Sequence, residues 1–340
     1  MSDRRRYRAW IITLLSLLLL LAASLMLGLC IGETTVSPAE VIRCLMSNDP
    51  DDTPAYVMRH LRLSRVLLGG AVGGVLGLAG VILQGIFRNP LVEPYTLGIS
   101  GGASVGVSLA IVFSLRTVWE GLALPLAGFA GALATVFLVY GLGTRRGEMR
   151  VERLLLTGVM VSFISSSIVM LLMATTSNMN LQGIIFWIMG SLNETDETLT
   201  RLLMITSLAS LALTYPYAPA LNATRLGMEP AAQLGVNTTR VVKALFLIAS
   251  LLTGVCVSVV GLIGFVGLII PRLAHVLVGS DFRVLLPASF LGGASFLVLS
   301  DIVARSVIAP LELPIGVITG IVGGTIFIAI AGIGKTRVSS

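Results

Sequence analysis

Apolar runs of about twenty residues, each ended by a short polar break, follow one another along the whole chain. They fall near 10–31, 64–86, 95–113, 121–142, 154–175, 198–217, 241–260, 264–279, 284–304 and 314–333. A helix rises about 1.5 Å per residue, so each run suits the roughly 30 Å hydrocarbon core of a bilayer. The pattern predicts an all-α integral membrane fold of about ten transmembrane helices, forming a single domain over residues 1–340. Two breaks are too long for simple turns. Residues 32–61 contain Ser37-Pro38-Ala39-Glu40, with Ser as N-cap and Pro at the first helical position, then an apolar stripe from Val41 to Met46. This predicts a short interfacial helix. Residues 176–197 carry Leu181, Ile184, Ile185, Trp187 and Ile188, a second short helix with Trp187 at headgroup depth.

Glycines recur every four residues as Gly69, Gly73 and Gly77, and again as Gly316, Gly320 and Gly324. Such tracks let helix backbones approach closely. The stretches Leu78–Leu91 and Val260–Leu273 share a glycine-spaced apolar run ending in a proline-containing break, and they cross the membrane in opposite directions. That is the mark of an inverted internal repeat.

Composition agrees with the periodicity. The chain is 55% hydrophobic and 12% charged, against about 25% charged in soluble domains. The net charge of +6 does not form a nucleic-acid face, because the basic residues are scattered among short loops. Loops on the N-terminal side of the membrane carry roughly twice as many Arg and Lys as the opposite loops. By the positive-inside tendency both termini are expected to be cytoplasmic, in the inner (plasma) membrane. The apolar run after Arg4, Arg5, Arg6 and Arg8 is too long for a signal-peptide core, so an uncleaved first helix is expected.

Catalytic and metal chemistry find no footing. Gly334-Lys335-Thr336 imitates the end of a phosphate-binding loop, but the required upstream glycine is Ala329. No ATPase or other enzyme is read here. Cys30, Cys44, Cys256, His60 and His275 have no metal-ligand spacing, and no cofactor is implied. Carboxylates at mid-membrane, the usual mark of ion coupling, are scarce. Asp301 stands four residues before Arg305, an i,i+4 pair, while Glu93 and Glu312 fall in breaks.

Three features point to function. Arg59, His60, Arg62 and Arg65, with Arg305, form a basic cluster on the outer side, against the charge tendency. Either they snorkel at helix ends or they dock an acidic partner, for which arginine is suited. On the inner side, residues 218–240 contain a short helix starting at Met228-Glu229-Pro230 and stopped by Gly235. It is either a connector or a helix that fits a partner's groove. The break from Phe87 to Pro94 sets Asn89 between an arginine and a proline, a hairpin at the inner surface.

Together, Arg62-Leu63-Ser64-Arg65, LQGIFRNPLVEPYTLGISGGA (Leu83–Ala103), QLGVN (Gln233–Asn237), GLIGFVGLIIPRLAH (Gly261–His275) and SDIVAR…ELPIGVITG (through Gly320) resemble FecCD-type permease subunits. These belong to ATP-binding cassette importers of iron–siderophores, haem and cobalamin. The resemblance implies a homodimer or a pair of related permeases, a cytosolic ATPase dimer below, and a periplasmic or lipid-anchored substrate-binding protein above. It places binding-protein docking at Arg62, Arg65 and Arg305. It places ATPase coupling at Glu229, Gln233, Leu234, Gly235 and Val236, and a cytoplasmic gate at Asn89, Pro90 and Leu91. The fifth and tenth helices would line the pathway, through Thr157, Ser162, Ser165, Ser166 and Thr175 and through residues 314–330. Two departures stand out: Arg272 and His275 are exchanged relative to many relatives, and Arg150-Val151-Glu152-Arg153 replaces small hydroxyl residues at a second gate. An ion-coupled secondary transporter is the alternative reading, and the cargo itself is not legible.

Overall fold

The computed structural model describes residues 3–32, 34–47, 49, 51–115, 121–145, 148–149, 151–193, 196–308 and 311–336. Side chains are not described at 3–5, 145, 148–149 and 330–336. Arg150 of the variant gate loop lies outside the described residues.

The helices, in order, are α1 (Asp3–Cys30), α2 (Pro38–Met46), α3 (Thr53–Tyr56), α4 (Ser64–Phe87), α5 (Ile99–Val112), α6 (Ala123–Gly143), α7 (Val151–Thr175) and α8 (Asn178–Met189). They continue as α9 (Glu197–Thr214), α10 (Ala218–Thr224), α11 (Met228–Gln233), α12 (Thr238–Val260), α13 (Val266–Val278), α14 (Phe282–Ser306) and α15 (Ile315–Thr336). A two-residue hairpin, β1 (Thr144–Arg145) with β2 (Glu148–Met149), links α6 to α7. Among the described residues, 7 helices are long and apolar enough to cross a membrane, and three shorter apolar helices fall within α5, α13 and α15. The protein is therefore an all-α, multi-pass membrane protein.

Caps explain where these helices begin. Ser37 and Glu40 exchange hydrogen bonds in a capping box at α2. Ser177, Asp196, Asn237 and Asp281 cap α8, α9, α12 and α14 more simply, each side chain accepting a backbone N–H of the first turn. Both expected short helices of the long breaks are present, as α2 and α8. Sequence did not reveal the π-helical stretch Val57–Leu63 that leads into α4. Such a widened turn shifts the register of the side chains beyond it.

Two expected spans are shorter than their apolar runs. The run 95–113 begins with a 3-10 turn, Pro94–Leu97, and α5 starts only after Gly98, at φ 80°. The run 264–279 begins with a break that ends at Phe265, at φ 69°. Apolar periodicity cannot see such breaks, because residues on either side of them are equally apolar. Backbone outside a helix at membrane depth needs partners from protein, and here it has them. Tyr95 Oη accepts from the Ile263 amide at 3.0 Å, and Ser191 N–H donates to Val260 O at 2.9 Å. Gln84 Nε2 donates to the carbonyls of Gly267 and Leu268, both at 3.2 Å. The likeness between Leu78–Leu91 and Val260–Leu273 does not extend to local conformation: the first is helix then turn, the second break then helix.

At the centre stands α4, buried along nearly its whole length against α9, α12, α13 and α14. The glycine track predicted close approach, and α4 meets α14 that way. A Cβ built on Gly73 would lie 2.3 Å from the Gly293 carbonyl oxygen. Of the expected α15 track, Gly316 is so enclosed, by the carbonyl oxygens of Met189 and Leu262, whereas Gly320 faces open space and Gly324 has only ordinary contacts.

Candidate functional site

Hydrogen bonds divide the loops between two ends of the bundle. At one end meet the start of α1, the turn after α4, residues 222–225 and the α13–α14 turn: Arg6 pairs with Asp281 at 3.3 Å, Asn222 Nδ2 donates to Asp281 Oδ1 at 2.8 Å, and Arg225 Nη1 donates to Ser280 O at 2.6 Å. At the other end meet the α1–α4 segment, the loop before α9 and the α14–α15 loop.

This second end carries a charge network. Arg65 binds Asp301 through Nε at 3.1 Å and Nη2 at 3.0 Å. Its Nη1 binds Glu312 Oε1 at 2.7 Å and also Asn193 Oδ1. Asn193 Nδ2 in turn donates to Glu312 Oε2 at 2.8 Å. Arg305 Nε lies 3.0 Å from Asp301 Oδ2, at an angle that makes it an ion-pair contact rather than an aligned hydrogen bond. The expected Asp301–Arg305 pair is present, but Arg65 dominates it. Side-chain exposure is 14% for Arg65, 3% for Asp301, 6% for Arg305 and 31% for Glu312. Two positive and two negative groups are thus neutralised inside the protein. Burial would raise the Glu312 carboxyl, yet the bonds from Arg65 and Asn193 outweigh it and hold Glu312 below the usual carboxylate range.

Arg62, Arg65 and Arg305, where docking of an acidic partner is expected, each hold partners within the protein. Arg62 is also spent internally, on Leu29 O at 3.2 Å and on Thr34 O at 2.9 Å. Arg59 Nε donates to Cys44 O at 3.1 Å. His60 Nδ1 lies 2.7 Å from Glu197, which also takes Arg201 at 2.8 Å. Sequence showed the cations and the Asp301–Arg305 pair but not the partners of Arg65, because Asp301 on α14 and Glu312 and Asn193 on loops all lie far along the chain from it.

Between the ends lies a cavity of about 350 Å³ between α5 and α7. Ser162, Ser165 and Ser166 line it with Ser100, Ser104 and Met170. Thr157 and Thr175 share the helix but not this lining; Thr175 Oγ1 donates to Leu171 O at 2.9 Å. Ser162 and Ser104 bond back to carbonyls four residues earlier, at 3.0 and 2.9 Å, which spends their protons and leaves lone pairs toward the cavity. Sequence reading missed the α5 contribution. The i,i+4 spacing of Ser100, Ser104 and Ser108 was a usable signal, since it sets hydroxyls on one helical face.

At the first end, Arg88 adopts φ 49° and Asn89 Oδ1 accepts from the Leu91 amide at 3.0 Å, an Asx turn. Asn89 and Pro90 line a cavity of about 400 Å³, and Leu91 points away from it, exposed. Glu93 follows, its Oε2 buried without a hydrogen-bond partner among the described residues. Burial pushes this carboxyl above its ordinary range, although the Phe265 backbone amide opposes the shift. Nearby, α11 ends in Leu234 and Gly235. Ala231 is buried beneath it while Glu229, Gln233 and Gly235 are exposed and Leu234 is 66% exposed. Val236 is half-buried and its amide donates to Ala231 O at 3.1 Å.

The FecCD transport family matches residues 18–332. An uncharacterized ABC transporter permease protein of Bacillus subtilis, YvrB, is 38% identical, covering 95% of this chain and 92% of its own length. The chain belongs to the FecCD transport family. The hemin transport system permease protein HmuU of Yersinia pestis is 36% identical over 93% of this chain and 94% of its own. The vitamin B12 import permease BtuC of Klebsiella pneumoniae is also 36% identical, with 96% and 94% covered. Among solved structures, an inward-facing metal-chelate type ABC transporter superposes with TM-score 0.82 at 30% identity, covering 95% of this chain and 99% of that one. The chain is accordingly an ABC transporter permease, a multi-pass subunit with a transport role rather than an enzymatic one.

Proposed function

We propose that this permease moves a metal chelate of the iron–siderophore, haem or cobalamin class into the cytoplasm, driven by ATP hydrolysed on a separate ATPase dimer. The observation that carries the reading is α11: a short helix with an exposed Glu229–Gly235 edge, seated at one end of a permease whose relatives serve hemin and vitamin B12. Such a helix can enter a groove on a partner, and Glu229, Gln233, Leu234, Gly235 and Val236 would transmit the ATPase stroke. The same end is then cytoplasmic in the inner membrane, and the Asn89-Pro90-Leu91 turn is the inner gate. The serine-lined cavity lies on the path, and a second copy completes it against the exposed apolar side chains of α7 and of α15, where Val317, Ile321 and Ile328 face outward.

At the outer end, a substrate-binding protein docks by exchange. Its carboxylates replace Glu312, the most exposed partner of Arg65, while Asp301 keeps both arginines in place. Binding thus loosens the link between α4 and the α14–α15 loop.

The test is coupled uptake. With its ATPase and binding protein in proteoliposomes, the chain should import chelate only with ATP. Glu229→Lys or Gly235→Trp should leave ATP hydrolysis running while uptake falls. Unchanged coupling in both variants would overturn the assignment of α11.

A further inference from the structure

The cavity beneath the inner turn is cationic in a way that the transport reading leaves unused. Arg88, Arg225, Arg272 and His275 line it, together with Asn89, and among the described residues no carboxylate does. Asp281, beside the rim residue Phe282, is already taken by Arg6 and Asn222. Arg225 spends one N–H on Ser280 O. Arg88 and Arg272 have no hydrogen bond or ion pair among the described residues, and both are exposed. Unpaired guanidiniums around a concavity call for an anion, and phosphate or carboxylate fits their fork.

A second concavity adjoins the first. An apolar groove of about 290 Å³ runs between α1, α13 and α14, lined by Leu17, Leu20, Leu273, Leu277, Gly292 and Phe296. Val276 lines both it and the cationic cavity. The depths suit an interface above hydrocarbon. Arg6 stacks on Trp10, 4.6 Å from its ring centroid, and pairs with Asp281 at the rim; a tryptophan beside an arginine at a helix end is the usual interfacial anchor. Leu17 and Leu20 lie further along α1, roughly 10–15 Å deeper at the helical rise.

We infer that the cavity and groove together form a binding site for an anionic phospholipid of the adjacent leaflet. Its phosphate rests among Arg88, Arg272 and Arg225, and an acyl chain follows Val276 into the groove. Basic pockets between transmembrane helices bind anionic headgroups in this manner. The site depends on the chain being a membrane protein and not on its cargo or its ATPase. Because Asn89 and Pro90 also border the cavity, the lipid would lie directly under the turn.

Native mass spectrometry of the purified full-length protein provides the test. The probes are phosphatidylglycerol, phosphatidylcholine of identical chains, and inorganic phosphate. Phosphatidylglycerol should be retained in preference to phosphatidylcholine, and each arginine removed in Arg272→Gln and Arg88→Gln/Arg272→Gln should weaken that preference about fivefold. Val276→Trp should lower retention of phosphatidylglycerol without touching the charges. All three positions are exposed, and a thermal melt checks that each variant is folded; Arg272→Gln alone suffices if the double variant is not. Equal retention of the two lipids, or unchanged retention in Arg272→Gln, overturns the inference. So does phosphate binding as tightly as the lipid, which would mark a soluble-anion site. Loss of ATPase association in Arg272→Gln with lipid retention intact would mark a protein contact instead.

Discussion

Replacing Asp301 by Asn tests how the network of Arg65, Asp301, Arg305 and Glu312 is held. The substitution keeps shape and removes one charge. Asp301 is 3% exposed and faces Arg65 at 14% and Arg305 at 6%, with contacts of 3.0 Å to each. Asn leaves two guanidiniums in a desolvated site with Glu312 as the remaining anion. Breaking a buried pair by removing one partner costs about 3–5 kcal/mol, because the surviving charge is uncompensated. Glu312 is 31% exposed, so water and relaxation cover its loss, and Glu312→Gln should cost about 1 kcal/mol. Asp301→Asn should therefore be the far more destabilising of the two, and Asp301→Asn/Arg305→Met should recover part of the loss. Equilibrium unfolding in mixed micelles measures all three. A cost below about 1 kcal/mol for Asp301→Asn, or equality with Glu312→Gln, would refute the buried-network reasoning.

Other expectations follow from the same geometry. The Glu312 carboxyl is held low in the folded protein, so its stabilisation should be complete above the unfolded carboxylate pKa and vanish as pH falls through the lower folded value. A melting profile that differs between wild type and Glu312→Gln at neutral but not at strongly acidic pH would bear this out. Glu93 has the opposite sign: its folded pKa is raised, the folded state holds the extra proton, and stability falls as pH rises from the unfolded toward the folded value. Glu93→Gln should be more stable than wild type at neutral pH and equal to it well below the unfolded carboxylate pKa; a destabilised Glu93→Gln at neutral pH would contradict the assignment. Gly73→Val should abolish folding or cost more than about 3 kcal/mol, since a Cβ there would sit 2.3 Å from Gly293 O; expression and gel filtration decide it. Gly235 has φ 83° with open space around a Cβ, so Gly235→Ala meets no neighbour but strains a left-handed backbone; it should cost about 1–2 kcal/mol and leave uptake nearly intact, in contrast to Gly235→Trp.

Much of the fold was legible in the sequence because lipid imposes a coarse rule, and long apolar runs between polar breaks obey it. Ser37-Pro38 and Met228-Glu229-Pro230 marked short helices because caps and prolines act locally. The breaks at Gly98 and Phe265 escaped, since their partners are Tyr95 and distant backbone rather than any change in polarity. The site was legible by residue type and illegible by pairing. Arg65 and Arg305 were visible as misplaced cations, yet Glu312 and Asn193 reach them from loops far along the chain, and only the folded bundle brings the four together. Ser165 and Ser166 pointed to the cavity from one side; the facing Ser100 and Ser104 become part of it only when α5 packs against α7. Arg272 and His275 read as an exchange within a motif, and their shared cavity with Arg88 came only from three-dimensional packing.

The central claim, that this chain is the passive half of an ATP-driven importer, is tested most directly by chelate uptake into proteoliposomes containing the chain, its ATPase and its binding protein. Uptake that requires all three proteins and internal or external ATP as the site demands, and that is indifferent to proton and sodium gradients, is the predicted result. Uptake by the chain alone under an ion gradient, without ATP, would contradict it.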